Sequence, residues 1–164
     1  MDMLITSTTS DVVDYLKQDP KSRQIVDIET TSLSLLKGEI LCIGIGLEDH
    51  DDVLIWWPEC QEEIGALRLS KAVVHNAHFD APRLRLRGAK LRVVWDTMLM
   101  AHLLDENRPV GLKDLGQRLL GYPDWTEANI QDLAALPRQQ VSEYLVKDVV
   151  VTRELLRYQR KQLK

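Results

Sequence analysis

The sequence predicts a mixed β-sheet covered by helices. Three β-rich runs follow one another between residues 23 and 57, with turn residues between them. Beyond them strand-like and helical stretches alternate, and the last third of the chain is helical in pattern. At 164 residues, 45% of them hydrophobic, the chain is expected to form one globular domain spanning 1–164 with a sizeable core.

Thr9-Ser10-Asp11 ahead of Val12, Val13, Tyr15 and Leu16 reads as a capped amphipathic helix, which Asp19-Pro20 should stop. Arg23–Glu29 carries Ile25-Val26 into an acidic end, Glu39–Leu47 is β-rich, and Val53–Trp57 forms a third run before Pro58. Gly38 and the cluster Glu48–Asp52 mark the turns. Glu59–Leu67 reads as a helix, Ala72–His75 as a short buried strand, and Phe79–Arg87 as a helix closed by Gly88. Arg92–Trp95 makes a last strand. Helices follow over Thr97–Leu104, over Leu112–Leu120 ended by Gly121, and over a long stretch opened by Pro137 and running toward Gln162.

The formal charge of −4 argues against a protein held on nucleic acid by a broad basic surface, because such binding needs clustered Lys and Arg. Any such contact must be local or bridged by metal. Cys42 and Cys60 stand far apart, without the short Cys/His spacing of a zinc site, so neither a disulfide framework nor structural zinc is expected. No basic patch followed by an apolar stretch opens the chain, and no window approaches the roughly 18 apolar residues of a membrane span. The expectation is a soluble cytoplasmic protein.

Three segments carry candidate chemistry. Asp27 and Glu29 lie two apart at a strand end, so both carboxylates point to one side of the sheet; they either share a cation or form a solvated strand end. In Val73–Asp80 an apolar strand runs into a polar turn and delivers Asp80 at the start of a helix, as a cap or as a ligand. Tyr144 and Asp148, four apart, share a helix face and can address one site, although taken alone such a pair more often serves packing.

In order these segments read Asp-x-Glu, Asn-x-x-Phe-Asp and Tyr-x-x-x-Asp, and together they resemble the tyrosine-type branch of the DEDD 3′-5′ exonucleases. IVDIETTSL, HNAHFD, WDTMLMAHLLD, GLKDLGQRLLG and YLVKDVVVTREL look closest to the proofreading domain of DNA polymerase I-type enzymes. The histidine-type branch carries His five residues before the last Asp, where this chain has Glu143. The resemblance implies an RNase H-like sheet, two Mg2+ or Mn2+ ions, and hydrolysis of DNA 3′ ends, preferably single-stranded, to nucleoside 5′-monophosphates. It implies Asp27, Glu29, Asp80 and Asp148 as metal ligands, Tyr144 as a water-positioning residue, and Thr30, Leu33 and Asn76 as contacts of the terminal nucleotide, with Leu33 wedging at the last base. Four converging carboxylates repel one another unless cations neutralise them, which fits the implied metal.

RNase D enzymes share the three motifs, so RNA 3′-end trimming is the alternative, and a non-catalytic nucleic-acid or partner-binding module is a third. The family's domain is usually fused to a polymerase, and here the sequence ends sixteen residues after Asp148. Proofreading for a separate polymerase, or independent degradation, is therefore expected. Trp125, in the loop Gly121–Asn129, offers a stacking face or a core side chain. Arg83, Arg85 and Arg87 form a solvated helix face or reach phosphate. Asp96 reads as a helix cap, not a ligand, and His75 and His78 as structural or substrate-side groups.

Overall fold

The protein is described from a computed structural model that covers residues 2–125 and 132–163. Its strands are β1 (Met3–Thr6), β2 (Gln24–Thr30), β3 (Ile40–Leu47), β4 (Val53–Trp56), β5 (Arg68–Val74) and β6 (Lys90–Asp96). Its helices are α1 (Thr9–Lys17), α2 (Ala77–Leu86), α3 (Thr97–Leu104), α4 (Leu112–Leu120) and α5 (Arg138–Gln162), with short 3-10 segments at Gln61–Ala66 and Leu133–Ala135. The sheet runs in the order β1-β4-β3-β2-β5-β6. β2, β3 and β4 are antiparallel neighbours, as short turns allow, while β5 and β6 add in parallel beside β2, joined by the α2 crossover.

Alternation along the strands builds two cores. Val26, Ile28, Ile43, Ile45, Leu54 and Trp56 face one side and pack with Val12 and Tyr15 of α1 and Leu84 of α2. Ile25, Val53, Ile55 and Val73 face the other, against Val141, Leu145, Val146, Val149 and Val150 of α5. A third, smaller cluster joins Ala101, Leu115, Trp125, Val151 and Leu155 beneath α3 and α4.

Helix α5 sits tightly on the sheet because β3 is bare where they cross. A Cβ on Gly44 would lie 2.7 Å from Val149 Cγ2 and 3.0 Å from Leu145 Cγ. Gly44 pairs with Asp27 in the β2–β3 ladder, so this close approach lies beside the first acidic motif. Asp96 caps α3 as expected, accepting from the amides of Met98 (2.9 Å) and Leu99 (3.4 Å). It also accepts from the amides of Asn76 (3.0 Å) and Ala77 (2.8 Å), so one carboxylate fixes the starts of both α2 and α3.

Two local expectations change. Glu59–Leu67 is not an α-helix: only Gln61–Ala66 winds, as 3-10, because Ile64 is its single buried residue and Gly65 interrupts it. The N-terminal β1 has no counterpart in the sequence reading, since Leu4 and Ile5 are exposed on a sheet edge and show no apolar alternation. Among the described residues, no helix is long and apolar enough to cross a membrane.

Candidate active site

The three acidic segments converge. β2 directs Asp27 and Glu29 toward α5, because they share the sheet face of Ile25. α5 brings Tyr144 and Asp148 against them on one face, and the first turn of α2 brings Asp80. One carboxylate oxygen from each of Asp27, Glu29 and Asp148 lies within 4.8 Å of the others. With Asn76, Asp80 and Tyr144 these residues line a cleft of about 340 Å³. Thr30 and Leu33 lie outside this lining, on the loop that follows Glu29; Thr30 Oγ1 donates to the Ser32 carbonyl (3.0 Å) and the Leu33 side chain is 83% exposed.

Burial and like charge act together here. Burial pushes the Asp27 carboxyl well above the usual range, and the charges of Asp80, Asp148 and Glu29 push it further. Asp80, only 2% exposed, is also pushed well up, chiefly by burial, and its Oδ2 has no hydrogen-bond partner among the described residues. Glu29 is pushed up to about 8 by burial and then by Asp148. A buried carboxylate oxygen left unpaired carries a desolvation cost that a cation would offset. The donors are oxygens from carboxylates, with no thiolate among them, which suits a hard divalent cation such as Mg2+ or Mn2+.

Lys113, at the start of α4, is a member of this site that sequence reasoning missed. Its ammonium pairs with Asp148 Oδ1, 4.4 Å from the centre of the Trp125 ring and 4.5 Å from that of Tyr144. Its charge lowers the Asp27 and Glu29 carboxyls, opposing the larger upward causes. Trp125 is a core side chain here, 8% exposed, with its indole N–H donating to Asp148 Oδ1 at 2.8 Å. The rest of the expected loop, residues 126–129, lies outside the described residues. Lys113 within GLKDL was the available signal, but a lone Lys in a helix's first turn looks the same when it is merely solvated.

His75 lines the cleft, with Nδ1 2.8 Å from Thr97 Oγ1, whereas His78 is exposed. Arg83 and Arg87 are neither a solvated face nor free for phosphate: both donate to backbone carbonyls of the β2–β3 loop. Arg85 is exposed and donates to the Leu91 carbonyl (3.2 Å). Cys42 and Cys60 are both free thiols.

The fold is RNase H-like and recurs in solved nucleases. NrnC of Brucella melitensis with bound Mg2+ superposes with a TM-score of 0.76 at 16% identity, over 99% of this chain and 82% of that one. RNase D of Trypanosoma brucei gives 0.72 at 15% identity, over 96% of this chain and 64% of that one. RNase D of Escherichia coli, an exoribonuclease involved in structured RNA processing, gives 0.72 at 15% identity, over 98% and 46%. No curated protein matches the sequence. The family model for the DNA polymerase A-type 3′-5′ exonuclease matches residues 4–164. The chain therefore belongs to that divalent-metal-dependent exonuclease family.

Proposed function

We propose that the protein removes nucleotides from unpaired DNA 3′ ends and releases nucleoside 5′-monophosphates, with two divalent cations held by Asp27, Glu29, Asp80 and Asp148. The observation that carries this reading is the cluster itself: three carboxylate oxygens lie within 4.8 Å of one another, and Asp80, lining the same cleft, has a buried Oδ2 with no hydrogen-bond partner among the described residues. A fold gains nothing from such an arrangement unless cations enter it. Bound there, the ions supply an activated water and stabilise charge at phosphorus and at the leaving 3′-oxygen.

The protein's own groups do the rest. A phenol is a poor base at neutral pH, so the hydroxyl of Tyr144, on the α5 face of Asp148, is assigned to orienting the attacking water. Trp125 and Lys113 hold Asp148 by a common oxygen and so fix its rotamer. Asn76 meets the terminal nucleotide from the α2 side, and Thr30 and Leu33 from the loop after Glu29. Removing mismatched ends for a separate polymerase is a task this activity fits.

RNA trimming is the second reading, favoured by the similarity in shape to the RNase D structures, while the family match favours DNA. The experiment offers the purified protein single-stranded DNA, a duplex with a mismatched 3′ end, a matched duplex and RNA, with Mg2+, Mn2+ or chelator. Metal-dependent release of 5′-mononucleotides, fastest from single-stranded DNA, is expected. Faster release from RNA would move the assignment to the second reading, and cleavage undiminished by chelator would refute both.

A further inference from the structure

The loop between β2 and β3, residues 31–39, is closed on itself. The Thr31 amide donates to the Glu39 carbonyl (2.9 Å), and the Glu39 amide donates to Thr31 Oγ1 (2.9 Å). The Gly38 amide donates to the Ser34 carbonyl (2.9 Å), and the Ser34 amide to Ser32 Oγ (3.1 Å). A Cβ on Gly38 would stand 2.6 Å from the Ser32 carbonyl oxygen, so only glycine permits this closure. This ordered loop nevertheless points two leucines at solvent: Leu33 is 83% exposed and Leu36 81%. Ordering a loop without burying its apolar side chains gains nothing from the fold's own core.

Two arginines four residues apart, Arg83 on α2 and Arg87 at its C-terminal cap, hold this loop at its two ends. Arg83, 7% exposed, lies over the Phe79 ring at 3.7 Å, donates to the Phe79 carbonyl (2.8 Å) and reaches the Leu33 carbonyl. Arg87 donates to the Gly38 carbonyl (2.5 Å) and to Gln61 Oε1 (2.9 Å), and Gln61 in turn pairs with the backbone of Ile40, where β3 begins. Asp80 stands one turn before Arg83 on the same helix. The metal-site carboxylate and the exposed leucines are thus tied to a common rigid element.

We propose that Arg83 and Arg87 are positioning residues that latch the 31–39 loop to the helix bearing Asp80. Leu33 and Leu36 then present a fixed apolar edge to the bases nearest the 3′ end. The idea rests on the exonuclease reading of the site and adds how the strand is admitted: the loop's rigidity, rather than arginine charge, selects an end whose bases can separate. The guanidinium groups already donate to carbonyls, which leaves them poorly placed to bind phosphate.

The test compares Arg87→Met, Arg83→Met and Arg85→Met, since methionine keeps most of the aliphatic stem and removes the donors. Arg85 sits between the other two but reaches Leu91, so it is the internal control for charge. Amide hydrogen exchange on the full chain without nucleic acid reads the latch directly. The Thr31 and Gly38 amides should exchange about tenfold faster in Arg87→Met, the effect expected from losing the charge-assisted bond to the Gly38 carbonyl, and at the parent rate in Arg85→Met. Kinetics with Mn2+ read its use. For a single-stranded oligonucleotide, KM should rise about tenfold in Arg87→Met with kcat little changed, by the same bond strength. Turnover of the p-nitrophenyl ester of thymidine 5′-monophosphate, which has no neighbouring base to separate, should stay at the parent level. Leu36→Ser should raise KM for the oligonucleotide without changing exchange.

Equal KM increases in Arg85→Met and Arg87→Met would overturn the proposal in favour of a charged surface. Unchanged exchange in Arg87→Met, or equal loss on the ester, would also overturn it. If Arg83→Met does not fold, Arg87→Met and Leu36→Ser carry the decision. A parent protein that cleaves neither substrate would sink the exonuclease reading, while the exchange arm would still decide the latch.

Discussion

In chelator, the protein should lose stability as pH rises from about 5 to about 8, and divalent metal should restore it. The perturbation acts on carboxyls that fold into the cleft while still protonated. Glu29 is raised from 4.5 to about 8 by burial and by Asp148, and Asp27 and Asp80 are raised in the same direction. Between those two values the folded protein keeps a proton that the unfolded chain has released. Unfolding therefore releases protons, and stability falls with rising pH, up to about tenfold in the folding equilibrium per pH unit for each such group. Below 4.5 both states hold the proton and the full stability is present; above about 8 the loss is complete and the curve flattens.

If Glu29 alone realises half of that ceiling, the change is a few kcal/mol, or roughly 5–10 °C in melting temperature for a domain of this size. Divalent metal binds only the folded, ionised cluster, so it should raise the melting temperature most at the alkaline end. Thermal melts followed by the fluorescence of the four tryptophans, at about pH 5.5 and about pH 8.5, with chelator or Mn2+, make the measurement. Glu29→Gln should flatten the slope, exceed the parent in stability at the alkaline end, and lose most of the response to metal. A parent melting temperature that stays level or rises with pH in chelator would refute the reasoning, as would a Glu29→Gln slope as steep as the parent's.

Four further outcomes are expected. Asp148→Asn should lower single-turnover cleavage by several orders of magnitude and weaken Mn2+ binding, whereas Tyr144→Phe should cost about 10–100-fold with Mn2+ affinity unchanged; equal defects rescued by excess metal would mean that Tyr144 supports the metal site. Gly116→Ala places a Cβ 2.7 Å from Trp125 Cη2 and 3.1 Å from Val151 Cγ1, so it should cost about 1–3 kcal/mol of stability in a denaturant melt. It should also slow cleavage without altering any ligand, because Trp125 holds Asp148. Lys113→Met should destabilise the chelated protein more at about pH 8 than at about pH 5.5, since its charge lowers the Asp27 and Glu29 carboxyls; an equal loss at both would count against that role. Binding of single-stranded DNA in Ca2+ should weaken only shallowly with added salt, and a steep slope of several released counterions would contradict it.

Some of the molecule was readable because the controlling chemistry is local. Asp96 and Gly121 are a cap and a left-handed stop (φ 75°), and they bound α3 and α4 where the sequence predicts. The candidate ligands were readable because their types and spacings sit in three short segments. What escaped depends on tertiary convergence. Lys113 meets Asp148 from a different helix, thirty-five residues away, and no local pattern separates it from a solvated lysine. The carbonyls that engage Arg83 and Arg87 come from fifty and forty-nine residues upstream, so the same arginines read from sequence as an exposed charged face. The glycines of β3 are read as part of a β-rich run, and only the position of Val149 and Leu145 explains why Gly44 must lack a side chain.

The distribution of arginine explains how an acidic chain can still engage a polyanion. Arg23 and Arg160 pair with Glu48, Arg153 donates to the carbonyls of Leu47, Asp51 and Asp52, and Arg83 and Arg87 hold the β2–β3 loop. These cations are committed to the fold, and those on Glu48 and the β3–β4 turn lie at the end of β3 away from Glu29. At the cleft, Lys113 is bonded to Asp148, so its charge is already shared with the acidic cluster. On the proposed reading, phosphate is attracted chiefly through divalent cations on the carboxylates, with apolar contact at the bases. On that reading, the site should hold a nucleic acid end where metal, phosphate and an accessible 3′ terminus coincide, and should hold the interior of a duplex weakly. Selectivity for ends then follows from the same charge arrangement that makes the metal necessary.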